Sequence, residues 1–160
     1  MPATKRLVWA FLGLSVAFSG VAAGETLTGR IVGVLDGDTV ILLDGRKQHR
    51  IRLAEIDAPE KTQAFGQRSK ESLAELVYGR EATAACPTVD RYGRSVCRIT
   101  VAGVDVNLQQ VRRGMAWAYD RYAADPRIFE AQREARADRR GLWIEAGAIP
   151  PWEYRKQPAR

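Results

Sequence analysis

From Thr26 to Leu43 the apolar positions fall in short runs broken by turn residues, which predicts β structure. Ile31, Val32, Val34 and Leu35 precede Asp36-Gly37, and Val40 to Leu43 follow. Asp-Gly between two such runs is a strong hairpin signal. A second turn, Asp44-Gly45, leads into a strand predicted over His49 to Ile56. Ala58-Pro59 stops it, because proline has no N–H for the ladder.

Helical spacing begins near Gly66. Leu73, Leu76 and Val77 share one face, and Gly79 stands where a helix over Gly66 to Tyr78 should end. Strand-like residues resume over Glu81 to Val89, turn at Tyr92-Gly93 and return as Ser95 to Val101. After a turn at Ala102-Gly103, Val106 to Arg113 reads as a short helix closed by Gly114. Asp125 is a good N-cap and Pro126 suits the first helical position of a last helix that Gly141 ends. Ile128, Phe129, Ala131 and Ala135 form its apolar side; its arginines and acids read as a solvated face rather than a nucleic-acid stripe. Trp143 and Trp152 in the tail are expected to pack back onto the core. Hairpin-linked strands with added helices imply a mainly β fold, a small barrel or a sandwich.

Composition narrows this picture. A chain of 160 residues, 46% of them hydrophobic, suits one domain with one core. The N-terminus follows a different logic. Lys5 and Arg6 precede an apolar run, Leu7 to Phe18, and Val21-Ala22-Ala23 supplies small residues for cleavage before Gly24. That is the layout of a secretory signal peptide over residues 1–23, leaving a mature domain over 24–160 with a periplasmic or secreted fate. The run is short for a bilayer span, which takes roughly 20 apolar residues. Losing Lys5 and Arg6 leaves 23 basic against 19 acidic side chains, so the charge falls from +6 to about +4. A modest excess favours polyanionic partners without identifying one. Export would let Cys86 and Cys97 join across the hairpin they flank; two buried thiols are the alternative.

Three clusters carry candidate chemistry: Asp36-Gly37-Asp38-Thr39, Arg52 to Glu60, and Asp90-Arg91-Tyr92-Gly93-Arg94. Each alone reads as a turn. Together they offer what phosphodiester cleavage needs. Asp38 and Asp57, at the edges of neighbouring strands, with a backbone carbonyl suit a hard cation such as Ca²⁺. An EF-hand is excluded, since a loop starting at Asp36 would place Lys47 at its twelfth position. One histidine, His49, among polar neighbours on a strand, makes zinc a poor fit and has no expected catalytic role. Glu60 is free to act as base through a water. Arg52 and Arg94 supply planar forks that match phosphate oxygens in pairs.

In combination and order these clusters resemble the staphylococcal nuclease (thermonuclease) family, over a stretch from about Thr28 to Trp143. The resemblance implies an OB-type five-stranded barrel with about three α-helices. It implies Ca²⁺ held by Asp38, Asp57 and the Ala58 carbonyl, with Asp36 nearby. It implies Glu60 activating a Ca²⁺-associated water that attacks phosphorus in line, Arg52 and Arg94 on the phosphate, and 3′-phosphate ends from both DNA and RNA. Tyr92 would lie near a substrate phosphate, and Tyr119 and Tyr122 beside base or sugar. Two departures stand out: a longer gap between Tyr119 and Tyr122, and Ala58 at the carbonyl ligand where the family has a hydroxyl residue.

A second reading is a barrel that holds single-stranded nucleic acid without cutting it. Asp38, Asp57 and Glu60 argue against it, because acids facing a polyanion repel it. An exported adhesive domain would need three coincidences. The expected working form is a monomer with no protein partner implied and no membrane contact once mature.

Overall fold

Alternation of side chains along each strand builds a closed barrel in the computed structural model, which describes residues 24–158. The expected signal peptide lies outside the described residues. Strands β1 (Glu25–Val34), β2 (Thr39–Asp44) and β3 (Lys47–Leu53) form an antiparallel meander. Leu27, Ile31, Val40, Leu42, Ile51 and Leu53 point inward. Strands β5 (Glu81–Val89) and β6 (Ser95–Val101) form the second hairpin and contribute Ala82, Ala84, Cys86, Cys97, Ile99 and Val101. β5 pairs antiparallel with β1, and β6 runs parallel to β3 through Ile51–Ser95, Arg52–Val96 and Leu53–Cys97. That last pairing closes five strands on themselves, choosing the barrel over the sandwich. Gly29 permits a tight crossing within it: a Cβ there would lie 2.2 Å from the Leu43 carbonyl oxygen.

Helix α1 (Gly66–Val77) sets Leu73 and Val77 against the barrel. α2 (Val106–Arg112) is capped by the Asp105 carboxylate, which accepts from Leu108 N–H at 3.0 Å. α3 (Pro126–Ala137) has Asp125 at its N-cap and Pro126 in its first turn, as expected. A short strand, β7 (Val104–Asp105), turns back and pairs antiparallel with the end of β6.

Three expectations change. β3 ends at Leu53 rather than Ile56, because Glu55 takes a left-handed φ of 67° and redirects the chain. Ile56–Asp57 is then a separate strand, β4, paired with β8 (Trp117–Ala118). α3 stops at Ala137, and Gly141 opens a 3-10 turn (Gly141–Ile144) instead of ending a helix. A one-turn helix, α4 (Pro151–Tyr154), was not expected. The tail tryptophans do pack inward: Trp143 meets Trp117 edge-on with centroids 4.3 Å apart. Arg136 of α3 covers both rings, so part of that charged face is packing rather than solvated surface. Cys86 and Cys97 are joined in a disulfide. Among the described residues no helix is long and apolar enough to cross a membrane.

Candidate active site

The loop between β1 and β2 is held from both sides. Its Asp36 carboxylate accepts from Asp38 N–H at 3.1 Å, and Thr39 O accepts from Leu35 N–H at 2.9 Å. Gly37 lies so close to α1 that a Cβ there would be 1.9 Å from Ser69 Oγ and 2.8 Å from Ala58 Cβ. From α2, Gln110 donates to Gly37 O (2.8 Å) and Ser69 O (3.1 Å), and accepts from Ser72 Oγ (2.7 Å). Gln110 is fully buried and satisfied on both sides of its amide, so it ties the acidic loop to both helices.

This clamp aims Asp38 inward, where it is only 4% exposed. Oδ2 accepts from Ala58 N–H at 2.9 Å; Oδ1 accepts from Thr39 Oγ1 at 3.0 Å and from Arg52 Nη1 at 3.2 Å. Burial, reinforced by Asp36, outweighs the attraction of Arg52 and pushes the Asp38 carboxyl up to about 6. Arg52 is the Cα partner of Thr39 across the β2–β3 ladder, so register alone sets it beside Asp38. Its other nitrogen, Nη2, donates to Asp57 Oδ1 at 2.8 Å and to Ile56 O at 3.4 Å. Asp57 is 0% exposed. The two acids therefore converge on one guanidinium, Asp38 from the loop before β2 and Asp57 from β4 beyond the Glu55 turn.

A second guanidinium completes the cluster. Arg155, just after α4, donates to Asp57 Oδ2 at 2.6 Å, Asp57 Oδ1 at 3.3 Å and Glu60 Oε1 at 2.8 Å. Glu60 is brought beside Asp57, but through Arg155. Among the described residues no three His, Cys, Asp or Glu side chains gather as an ion cage. The reason is electrostatic: unshielded carboxylates repel, and each takes a guanidinium instead. The donor set itself is made of hard oxygens, with Asp38 and Asp57 buried and Asp36 and Glu60 adding charge beside them. It fits a hard divalent cation held by Asp38, Asp57 and the neighbouring Ala58 carbonyl.

The remaining sequence-derived residues are placed less directly. Arg94 pairs with Asp90 of its own hairpin, Nε to Oδ2 at 2.7 Å. It lies in the turn just before β6, so the ladder that pairs Arg52 with Val96 does not fix its direction. Tyr92, at the hairpin tip, is 69% exposed and flanked by Arg91 and Arg94. Tyr119 and Tyr122 meet edge-on at 4.9 Å, and Tyr122 is 60% exposed. Tyr119 is stacked by Trp152 of α4, with centroids 5.3 Å apart and planes 7° from parallel.

Sequence reasoning missed Arg155, Gln110 and Asn107. Asn107, buried at the start of α2, donates to Ala54 O and Cys97 O and accepts from Ile99 N–H, which fixes where β3 departs from β6. The Pro150-Pro151 pair was the available signal for α4, since proline favours a first helical turn. Nothing local marks Arg155 as a partner for acids nearly a hundred residues earlier.

Comparison with known proteins supports the same conclusion. Residues 50–145 match the family model described as staphylococcal nuclease homologue. The chain is 45% identical over 154 residues to a Haemophilus influenzae protein named an uncharacterized endonuclease, covering 96% of this chain and 86% of that one. It is 46% identical over 139 residues to an uncharacterized endonuclease of Escherichia coli O157:H7, covering 86% and 91%. It is 39% identical over 152 residues to a micrococcal nuclease of Shigella flexneri, covering 88% and 87%. The barrel, the paired acids around Arg52 and these relatives converge: the chain belongs to the staphylococcal nuclease family and is a nuclease.

Proposed function

We propose that the protein is a calcium-dependent endonuclease that hydrolyses both DNA and RNA and leaves 3′-phosphate ends. The observation that carries this reading is the convergence of two buried carboxylates, Asp38 and Asp57, on Arg52, with Glu60 one guanidinium away. Burying Asp38 costs more than its pairing with Arg52 returns, which supports a further cation at the site.

When bound, the ion would neutralise a phosphate oxygen and lower the pKa of a nearby water. Asp38 and Asp57, with the Ala58 carbonyl, would hold it. Glu60 is partly solvent-exposed, so its carboxylate can accept the proton of an attacking water and pass it on. Arg52 presents a planar fork beside the acids and Arg94 a second from the hairpin before β6; both would stabilise the charge that builds on phosphorus oxygens. Tyr92, Tyr119 and Tyr122 supply aromatic surface for sugar or base, which tolerates any sequence.

We also propose that residues 1–23 direct export to the periplasm or beyond and that the mature enzyme is a monomer. The Cys86–Cys97 disulfide supports an oxidising compartment.

The test is a cleavage assay on the mature protein with plasmid DNA and a single-stranded RNA, in Ca²⁺ and in EGTA, with end-group analysis. Ca²⁺-dependent loss of both substrates with 3′-phosphate ends is the expected result. Undiminished cleavage in EGTA, or 5′-phosphate ends, would refute it.

A further inference from the structure

Arg155 takes one of the groups that the calcium reading assigns to the ion, the Asp57 carboxylate. It reaches both oxygens of the fully buried Asp57 and also Glu60. Asp57 and Glu60 meet Arg155, and Asp38 and Asp57 meet Arg52, so three acids face two guanidinium groups. Arg155 occupies both oxygens of Asp57, one of them shared with Arg52, so a cation that binds this carboxylate competes with the guanidinium for its lone pairs and is repelled by its charge.

The element that carries Arg155 is fastened chiefly through Trp152, edge-on to Trp117 with centroids 5.8 Å apart and stacked on Tyr119, rather than through buried aliphatic groups. Within α4 only Pro151 is buried. Its neighbourhood is held by polar bonds, Tyr154 Oη to Thr62 Oγ1 at 3.0 Å and Gln63 Nε2 to Ile149 O at 2.6 Å. A cleft of about 910 Å³ opens beneath it, lined among others by Phe65, Leu142 and Ile149. Trp152 and Arg155 are three residues apart on this turn and so act as one unit. While Arg155 binds Asp57, Trp152 covers the ring of Tyr119.

We propose that Arg155 is a positioning residue of the site, a tethered cation that holds Asp57 and Glu60 while no ion is bound and is displaced when the ion enters. Displacement carries α4 outward and lifts Trp152 from Tyr119. Charging the site and uncovering an aromatic surface for a nucleobase are then one event. The proposal rests on the calcium reading above.

The competition has a measurable signature. Where the competent state is only a fraction of the population, apparent affinity falls by that fraction. Titrating Ca²⁺ alone, without nucleic acid, into the mature protein by calorimetry should show Arg155→Gln binding about tenfold tighter than the parent. Arg155→Lys, which keeps the charge, should stay close to the parent, as should Lys156→Gln. A merely structural role for Arg155 would weaken binding on removal, not tighten it. Tryptophan fluorescence of the parent should change with Ca²⁺, and Trp152→Phe should lose that change. Ca²⁺ binding to parent and Arg155→Gln with equal affinity, or more weakly to the variant, overturns this inference and leaves the calcium reading standing. A parent fluorescence change that survives Trp152→Phe removes the coupling to α4. Absence of Ca²⁺ binding to both parent and Arg155→Gln overturns the two readings together.

Discussion

Replacing Asp38 with Asn should make the ion-free protein more stable while abolishing its activity. Asp38 is 4% exposed, and burial with the nearby Asp36 moves its carboxyl from an ordinary 3.8 to about 6 despite Arg52. At pH 7 the fold therefore holds a charge that costs it roughly 3 kcal/mol relative to the unfolded chain. Asn removes the charge yet keeps an oxygen for Ala58 N–H, and Arg52 keeps Asp57 at 2.8 Å. A gain of roughly 2–3 kcal/mol, or a Tm rise of roughly 5–10 °C, should appear in thermal melts at pH 7 with EGTA. The sign with pH adds a second signature. A carboxyl whose folded pKa is raised costs stability in full above about 6, and that cost fades as pH falls toward 4, where the folded carboxyl is protonated and the unfolded one is about half protonated. The advantage of Asp38→Asn should shrink over the same window. Saturating Ca²⁺ should narrow the gap at pH 7, because only the parent gains binding energy. A variant less stable than the parent at pH 7, or one whose advantage persists unchanged at pH 4, would show that the Arg52 pair outweighs burial.

Arg94→Gly should cut DNA cleavage in Ca²⁺ by about 10² or more, the usual effect of losing one preorganised charge stabiliser; activity within about tenfold of the parent would remove Arg94 from the phosphate. Reducing the Cys86–Cys97 bond, which spans 11 residues, should lower unfolding free energy by about 3 kcal/mol, read from urea melts with and without reductant. Unchanged midpoints would argue against a constraint on the unfolded chain. Acid should unfold the protein below about pH 4. Burial works against the charge of Glu55, yet the amides of Ala124 and Asp125 with Arg98 outweigh it and hold its carboxyl low. Arg127 depresses Asp125 through side-chain and backbone bonds, and Arg98 adds to this. Depressed carboxyls contribute fully above their ordinary values and lose that contribution as pH falls through the folded ones. Glu55→Gln should flatten this acid limb between pH 4 and 2, and an unaltered limb would place the acid sensitivity elsewhere.

Local signals carried the strands and α1 to α3 because each depends on residues close in sequence. Asp-Gly turns, the Asp125-Pro126 start and the spacing of Leu73 and Val77 all act within one turn or one hairpin. Barrel closure does not: it needs Ile51–Leu53 to run parallel to Ser95–Cys97, a pairing no hairpin rule encodes. The break after Leu53 was hidden for a related reason. Glu55 takes its left-handed conformation because its carboxylate is bonded by Ala124 and Asp125 amides seventy residues away. Asp38, Arg52 and Asp57 were readable as chemistry because the residue types are so specific together. Arg155 was not, since an arginine in a polar tail carries no mark of its partner.

The site's chemistry and the barrel's rigidity are the same problem seen twice. Asp38 and Asp57 would separate in a flexible chain, since nothing but Arg52 draws them together. Here the separation is resisted by backbone bonds made beside them: Leu53 N–H to Asp38 O at 2.8 Å, Ala58 N–H to the Asp38 carboxylate, and the β4–β8 pairing through Asp57 and Trp117. Gln110 and Gly37 then lock the loop against both helices, and Asn107 locks the branch point of β3 and β6. Electrostatic preorganisation requires that charges stay put when a ligand arrives, and a barrel closed by strand pairing supplies that without help from the ligand. Gln110→Ala should therefore lower activity more than its distance from phosphate suggests, with Ca²⁺ affinity falling in parallel. A variant that binds Ca²⁺ and cleaves DNA like the parent would show that the loop holds Asp38 unaided.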